Sequence, residues 1–350
     1  MIVTNHHIIL DGWSNLILLK EFTAAYHQLL AGAPLKKPVK TSYKEYVKWL
    51  QQQDETRMDS YWHTMLQGFK NPTFIFSSPH SPHRDTLPAA GEEKYYEYPL
   101  PRDLQQKINV FCKREGVTLA SIFYGAWALL LYINNHKAED VLFGITVSGR
   151  STQVKGIEDM VGLFINTVPL RLRIFPGDKV REVLRRITKI LLGMEEFECT
   201  PLVRLIADKD RGLPDVLFDS VVVIQNYPVD DRLSKKQGHL HIKLTSRFYM
   251  TRINLVLGIR VFDRVILDFS YNEKAFKART IEKLSRQLVT LIKTLVADFD
   301  QEAGFPAGSP LKVRDLESLG QREKKQLVFN SRENRKKLKA VEEVDFDEIF

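Results

Sequence analysis

Val3-Thr4-Asn5-His6-His7-Ile8-Ile9-Leu10-Asp11-Gly12-Trp13-Ser14 decides how the rest of the chain reads. Two adjacent histidines leave a short apolar run, an aspartate stands four residues after the second, and an apolar helical pattern runs from about Trp13 to Leu30. That order predicts strand, tight loop, helix. It places one imidazole at a strand end facing a cleft, and the Asp11 carboxylate beside the positive end of a helix dipole. Ser14 is placed to cap the helix.

Working outward, Leu16, Leu19, Tyr26 and Leu30 recur at helical spacing, and Gly32 with Pro34 ends the helix. Ser42 to Leu50 reads as a second helix with its aromatics on one side, which core packing alone explains. Residues 71–91, rich in Pro, Ser and His, read as a loop between two lobes. His80 and His83 lie there without the ligand cluster a metal needs. A second lobe begins at Glu92. Tyr96, Tyr98 and Leu100 alternate as a strand, Leu104, Ile108 and Phe111 mark a helix closed near Gly116, and Thr118 caps an apolar helix. Val141, Phe143, Ile145 and Val147 alternate as in a half-buried strand that runs into Ser148-Gly149-Arg150. The next strand carries Leu170, Leu172 and Ile174 inward, with Arg171 and Arg173 outward. Val180 to Met194 is an amphipathic helix, Leu217 to Pro228 a strand, Ile253–Val261 and Val265–Tyr271 a hairpin, and Thr280 to Phe299 a long helix.

The 350 residues, 44% of them hydrophobic, suffice for a substantial core or two joined lobes. No uncharged apolar run reaches the ~20 residues of a spanning helix, so no membrane partner is expected; Leu119 to Ile133 reads as a buried helix. Cys112 and Cys199 lie far apart and fit a reducing cytoplasm. The net charge of +8 comes largely from Gln321 to Lys339, ahead of an acidic end. Such a two-block tail is a solvated one, and without interleaved aromatics it gives no nucleic-acid platform.

Three kinds of chemistry suit His6, His7 and Asp11. Adjacent histidines diverge from an extended backbone, so a shared metal ion is disfavoured. His6-x4-Asp11 formally satisfies a glycerolipid acyltransferase pattern, and His7-x3-Asp11 that of plant-type hydroxycinnamoyl transferases. The glycine-rich anion site of the first and the Asp-Phe-Gly-Trp-Gly stretch of the second are not found. The double histidine with Asp11-Gly12-Trp13-Ser14 instead resembles the HHxxxDG motif of the condensation domains of nonribosomal peptide synthetases. Further matches follow in order: Tyr43-x-x-Tyr46-x-x-Trp49, Tyr61-Trp62 through Phe69, Gly162-Leu163-Phe164-Ile165-Asn166-Thr167 with Arg171, and Gln225-Asn226-Tyr227-Pro228.

The resemblance implies an α/β, chloramphenicol acetyltransferase-like fold of two lobes, the first incomplete. Residues 1–70 are the end of that first lobe, 71–91 the inter-lobe loop, 92–305 the second lobe and 306–350 a charged linker or tail. It implies amide-bond formation between an upstream acyl or peptidyl thioester and a downstream aminoacyl thioester, in the subtype joining an L-donor to an L-acceptor. Both substrates ride on the phosphopantetheine arms of donor and acceptor carrier proteins, and the chain binds no cofactor itself. An adenylation domain is an expected neighbour. His7 is the expected catalytic group and His6 supports the loop. Asp11 pairs with an arginine of the second lobe, for which Arg150 is the candidate. Gly12 keeps the tunnel clear, and Asn166 lies at the tunnel wall or serves as a strand-end amide. Family members carry two further motifs ahead of the double histidine, so the motif loop is expected to lack bracing strands. The isolated chain is then expected to be catalytically poor, or a non-catalytic module that binds carrier proteins.

Overall fold

Six strands form one mixed sheet. They are β1 (Glu93–Pro99), β2 (Asp140–Val147), β3 (Asn166–Arg173), β4 (Ser220–Gln225), β5 (Leu255–Val261) and β6 (Val265–Asn272), in the spatial order β1-β6-β5-β4-β2-β3. β4 runs parallel to β2 and β5, and the other pairs are antiparallel. The computed structural model describes residues 4–36, 39–75, 92–135, 139–151, 153–207, 213–214, 216–226, 253–261 and 264–297. His80, His83, Tyr227, Pro228 and the charged tail lie outside them.

Helix α4 (Arg102–Glu115) is followed by α5 (Leu119–Asn134), which Thr118 caps by accepting the Ser121 N–H. Every residue of α5 from Ser121 to Tyr132 is buried, as an apolar surface on all sides requires. It packs against α6 (Val180–Met194), β2 and the last described helix, Ala278–Val296. The short helix α7 (Leu202–Ala207) lies against β3. The last helix takes the label α8. These elements match the expected helices and hairpin to within a few residues.

Two expectations fail at the sheet. β2 is buried on both faces for most of its length, not half-buried. Arg171 points to no solvent: it is buried, with Nε and Nη2 donating to the Asp140 carboxylate at 2.8 and 2.6 Å. Both corrections have one cause. Helix α3 (Glu55–Leu66) and the chain after it cover that side of the sheet, so that Arg171 Nη1 also donates to the Met65 and Gln67 carbonyls. The segment then straps across β4 and β2. Thr73 N–H donates to Leu217 O, Leu142 N–H donates to Thr73 Oγ1, and Ile75 N–H donates to the Asp219 carboxylate. Trp62, Leu66, Phe69 and Ile75 thus belong to the main core, which crosses the boundary expected at residue 70.

Helices α1 (Gly12–Leu30) and α2 (Tyr43–Gln51) lie apart from the sheet. Tyr46 of α2 forms a second small core with Ile157, Met160 and Phe164. Only Ser14 and Ile17 of α1 are buried, while Leu18, Phe22, Leu29 and Leu30 are exposed.

Candidate functional site

The site is built where the start of α1 meets the loop between β2 and β3. Asp11, wholly buried, is the N-cap of α1: its Oδ1 accepts the Ser14 N–H at 2.8 Å. Asp11 therefore does the capping expected of Ser14. Its other oxygen accepts the Phe164 N–H at 3.1 Å. The Arg150 guanidinium, also buried, stands 3.4 Å from Oδ1. Arg150 further donates to Ser14 Oγ at 3.0 Å and to the Met160 and Ile157 carbonyls. The Phe164 ring lies 3.9 Å from the guanidinium carbon and the Trp13 ring 5.4 Å from it, so the cation is held between aromatic faces.

Ser14 is freed from capping for another task. Its hydroxyl donates to Gly162 O at 2.7 Å and accepts from Gly162 N–H at 3.0 Å, while Asp11 N–H donates to the same carbonyl. Trp13 Nε1 donates to Glu158 O. The double-histidine loop is thus docked on the backbone of residues 158–164 by polar groups of Asp11, Trp13 and Ser14. Two glycines make that docking possible. Gly149 has φ +62°, and a Cβ there would overlap the Phe164 carbonyl; a Cβ on Gly162 would overlap the Tyr43 ring. Tyr43 donates its hydroxyl to Leu163 O at 2.6 Å. Burial pushes that phenol above its ordinary value, and the Asp11 charge adds to the shift.

The apolar run expected to lead as a strand into the histidines, Met1 to Val3, lies outside the described residues, and residues 4–10 carry no strand. Residues 7–9 form a turn, closed by Ile9 N–H to His6 O, and both histidines are exposed. Ile8, beside them, is 69% exposed. His6 Nδ1 accepts the Ile8 N–H at 3.1 Å, which places the proton of a neutral His6 on Nε2 and ties that ring to the loop. The His7 ring is exposed and has no hydrogen-bond partner among the described residues.

Gly12 opens α1 as its first residue. Asn166 begins β3, and its amide is used by backbone: Nδ2 donates to Glu198 O and Thr200 O, and Oδ1 accepts the Thr167 N–H. That geometry is the strand-end amide. The structure therefore brings Asp11, Ser14, Trp13 and Arg150 together, and leaves His7 and Asn166 in separate surroundings.

Sequence reasoning missed Glu198. It is partly buried, and desolvation, with Glu195 adding, pushes its carboxyl to about 7 against a hydrogen bond from Ser151. Its only trace in the sequence is an acidic cluster, Glu195-Glu196-x-Glu198, interrupted by a buried Phe197.

Comparison with known proteins places this geometry. The model of the family described as Condensation domain matches residues 1–328. One of the linear gramicidin synthase proteins of Brevibacillus parabrevis is 30% identical over 325 residues, which are 93% of this chain and 4% of that protein. Surfactin synthase subunit 3 of Bacillus subtilis is 30% identical over 298 residues, 85% of this chain and 23% of that protein. The chain thus spans a small part of the curated relatives it matches. Among solved structures, the first condensation domain of the calcium-dependent antibiotic synthetase superposes with a TM-score of 0.68 at 18% identity, over 89% of this chain and 65% of that one. The X-domain from teicoplanin biosynthesis superposes with a TM-score of 0.65 at 18% identity, over 84% of this chain and 68% of that one. The fold is chloramphenicol acetyltransferase-like, and the HHxxxDG loop clamped by Asp11 and Arg150 belongs to a chain that is a member of the condensation-domain family.

Proposed function

We propose that the chain supplies the His7-bearing part of a nonribosomal peptide synthetase condensation domain. That domain joins an upstream acyl or peptidyl thioester to a downstream aminoacyl thioester, L-donor to L-acceptor. The observation that supports this best is the buried Asp11–Arg150 pair with its Ser14–Gly162 docking. Together they fix a two-histidine turn that does nothing for the core. In the reaction the acceptor amine attacks the donor carbonyl, a C–N bond forms, the C–S bond breaks, and the amine proton ends on the departing thiolate. A neutral His7 imidazole suits transient proton acceptance, a role worth about 10²–10⁴-fold. Holding two tethered reactants together supplies acceleration of its own. The phosphopantetheine arms belong to donor and acceptor carrier proteins, and an adenylation domain is a suitable neighbour. Two free cysteines support a cytoplasmic setting. Among the described residues, no single helix is long and apolar enough to cross a membrane.

The exposure of His7 favours a second reading for the 350-residue chain by itself: a module that binds carrier proteins without joining their cargo. A graft separates the two. The matching 298 residues of surfactin synthase subunit 3 are replaced by their equivalent from this chain, and the product on the acceptor carrier is weighed by mass spectrometry. Condensed product from the graft, and none from the 350-residue chain mixed with the same loaded carriers, is the expected result. Carrier binding by both with product from neither favours the binding module.

A further inference from the structure

Several arginines of the described structure are matched closely to acids. Arg57 meets Glu196 at 2.6 and 2.8 Å, and Arg204 meets Asp59 at 3.2 and 2.8 Å. One cluster departs from that pattern. Glu115, the last residue of α4, has a nearly buried side chain and faces three guanidinium groups. Arg114 Nε donates to its Oε1 at 3.1 Å, while Arg181 and Arg185 of α6 stand 3.6 Å from Oε1 and Oε2. At that distance neither α6 arginine makes a hydrogen bond to Glu115, and neither finds another acceptor among the described residues. One carboxylate thus answers three cations, and two half-exposed forks keep their N–H donors unused.

The surface around this cluster is apolar as well as basic. Val110 stands one turn before Arg114 on α4, and Leu192 continues the row of Arg181 and Arg185 along α6; both are exposed. The sequence carries the complement of such a face in Val341 to Phe350. There Glu342, Glu343, Asp345, Asp347 and Glu348 are interleaved with Val344, Phe346 and Ile349. The tether starts close by. α8 packs against α4 and ends at Val296, so residues 298–341 leave from the layer of helices that bears the arginines. A coil of that length reaches on the order of 35 Å and holds its far end at roughly millimolar local concentration. Weak exposed ion pairs suffice under those conditions.

We infer that residues 342–350 of this chain dock on the face formed by Arg114, Arg181 and Arg185. The carboxylates meet the guanidinium groups, and Phe346 lies against Val110. The basic stretch Arg332 to Lys339 is repelled by the same face and stays off it.

Photocrosslinking of the whole 350-residue chain tests this, with p-benzoylphenylalanine in place of Phe346 and the products mapped by mass spectrometry. Crosslinks should fall within one chain, to residues 107–117 and 181–193. Arg181→Glu with Arg185→Glu, both half-exposed side chains, should lower their yield about tenfold at low salt. Adding Asp345→Lys and Asp347→Lys to that pair should restore it, which a folding defect in α6 would not allow. Arg185→Gln alone should lower the yield by about threefold. Crosslinks scattered elsewhere, a yield unmoved by the arginine changes, or no rescue by the lysines overturns the docking. Crosslinks found only between two chains overturn it as well, and assign the acidic run to a second copy. The readout needs no condensation product, so it stands apart from the proposed reaction.

Discussion

Asp11 accepts N–H groups from Ser14 and Phe164 and faces the Arg150 cation, all away from solvent. Truncating it leaves a buried guanidinium without its counter-charge, which costs about 3–5 kcal/mol. Asp11→Ala is therefore expected to lower the melting temperature sharply, while His7→Ala, removing an exposed ring, leaves it unchanged. Equal melting temperatures for Asp11→Ala and wild type in differential scanning calorimetry contradict the clamp. Gly162→Ala places a methyl group against the Tyr43 ring and must push α2 away. A loss of roughly 1–3 kcal/mol is expected from overpacking of this kind, and chemical denaturation measures it. The need for glycine there does not show in the sequence, because the ring that fills its space comes from a helix more than a hundred residues earlier.

At the scale of elements, the exposed row on α1 gives a prediction. Phe22 and Leu29 lie on a helix with two buried residues, so Phe22→Lys with Leu29→Lys removes apolar surface without opening a core. Binding of an apolar fluorescent dye should fall, with stability within about 0.5 kcal/mol of wild type. Unfolding of the double variant contradicts the exposed face. Helices and strands whose apolar period is long were legible in advance: α5, α6, β3 and the β5–β6 hairpin stand where the pattern puts them. The mistakes share a physical origin. Alternation along β2 reports one buried face, and nothing within β2 reports that residues 58–75 cover the other. Arg171 reads as outward for the same reason, although Asp140 and two carbonyls take it inside. The apolar run expected to lead as a strand into the histidines, Met1 to Val3, lies outside the described residues. Arg150 was legible as the partner of Asp11 only through the resemblance, since 139 residues separate them.

At the scale of the whole molecule, the strap from Thr73 to Ile75 ties the first helices to the sheet, and its anchor is a buried acid. Desolvation pushes the Asp219 carboxyl from 3.8 to about 7, against its hydrogen bond from Ile75 N–H. The raised value means that its contribution to stability is complete below about pH 4 and lost as pH rises through 7. The melting temperature should accordingly rise as pH falls from 8 to 6. At pH 8, Asp219→Asn keeps an acceptor for Ile75 and removes the buried charge, a gain of roughly 4 kcal/mol as an order of magnitude. A variant less stable than wild type at pH 8 contradicts the assignment.

The clamp built by Asp11, Ser14 and Arg150 exists, on this reading, to present His7 to two tethered substrates. Its most direct measurement is the single-turnover rate of amide formation in the surfactin synthase graft, wild type against His7→Ala, with melting temperatures recorded on the same samples. The predicted result is a rate lower by about 10²–10⁴-fold in His7→Ala at an unchanged melting temperature. A His7→Ala graft that forms product at the wild-type rate contradicts it.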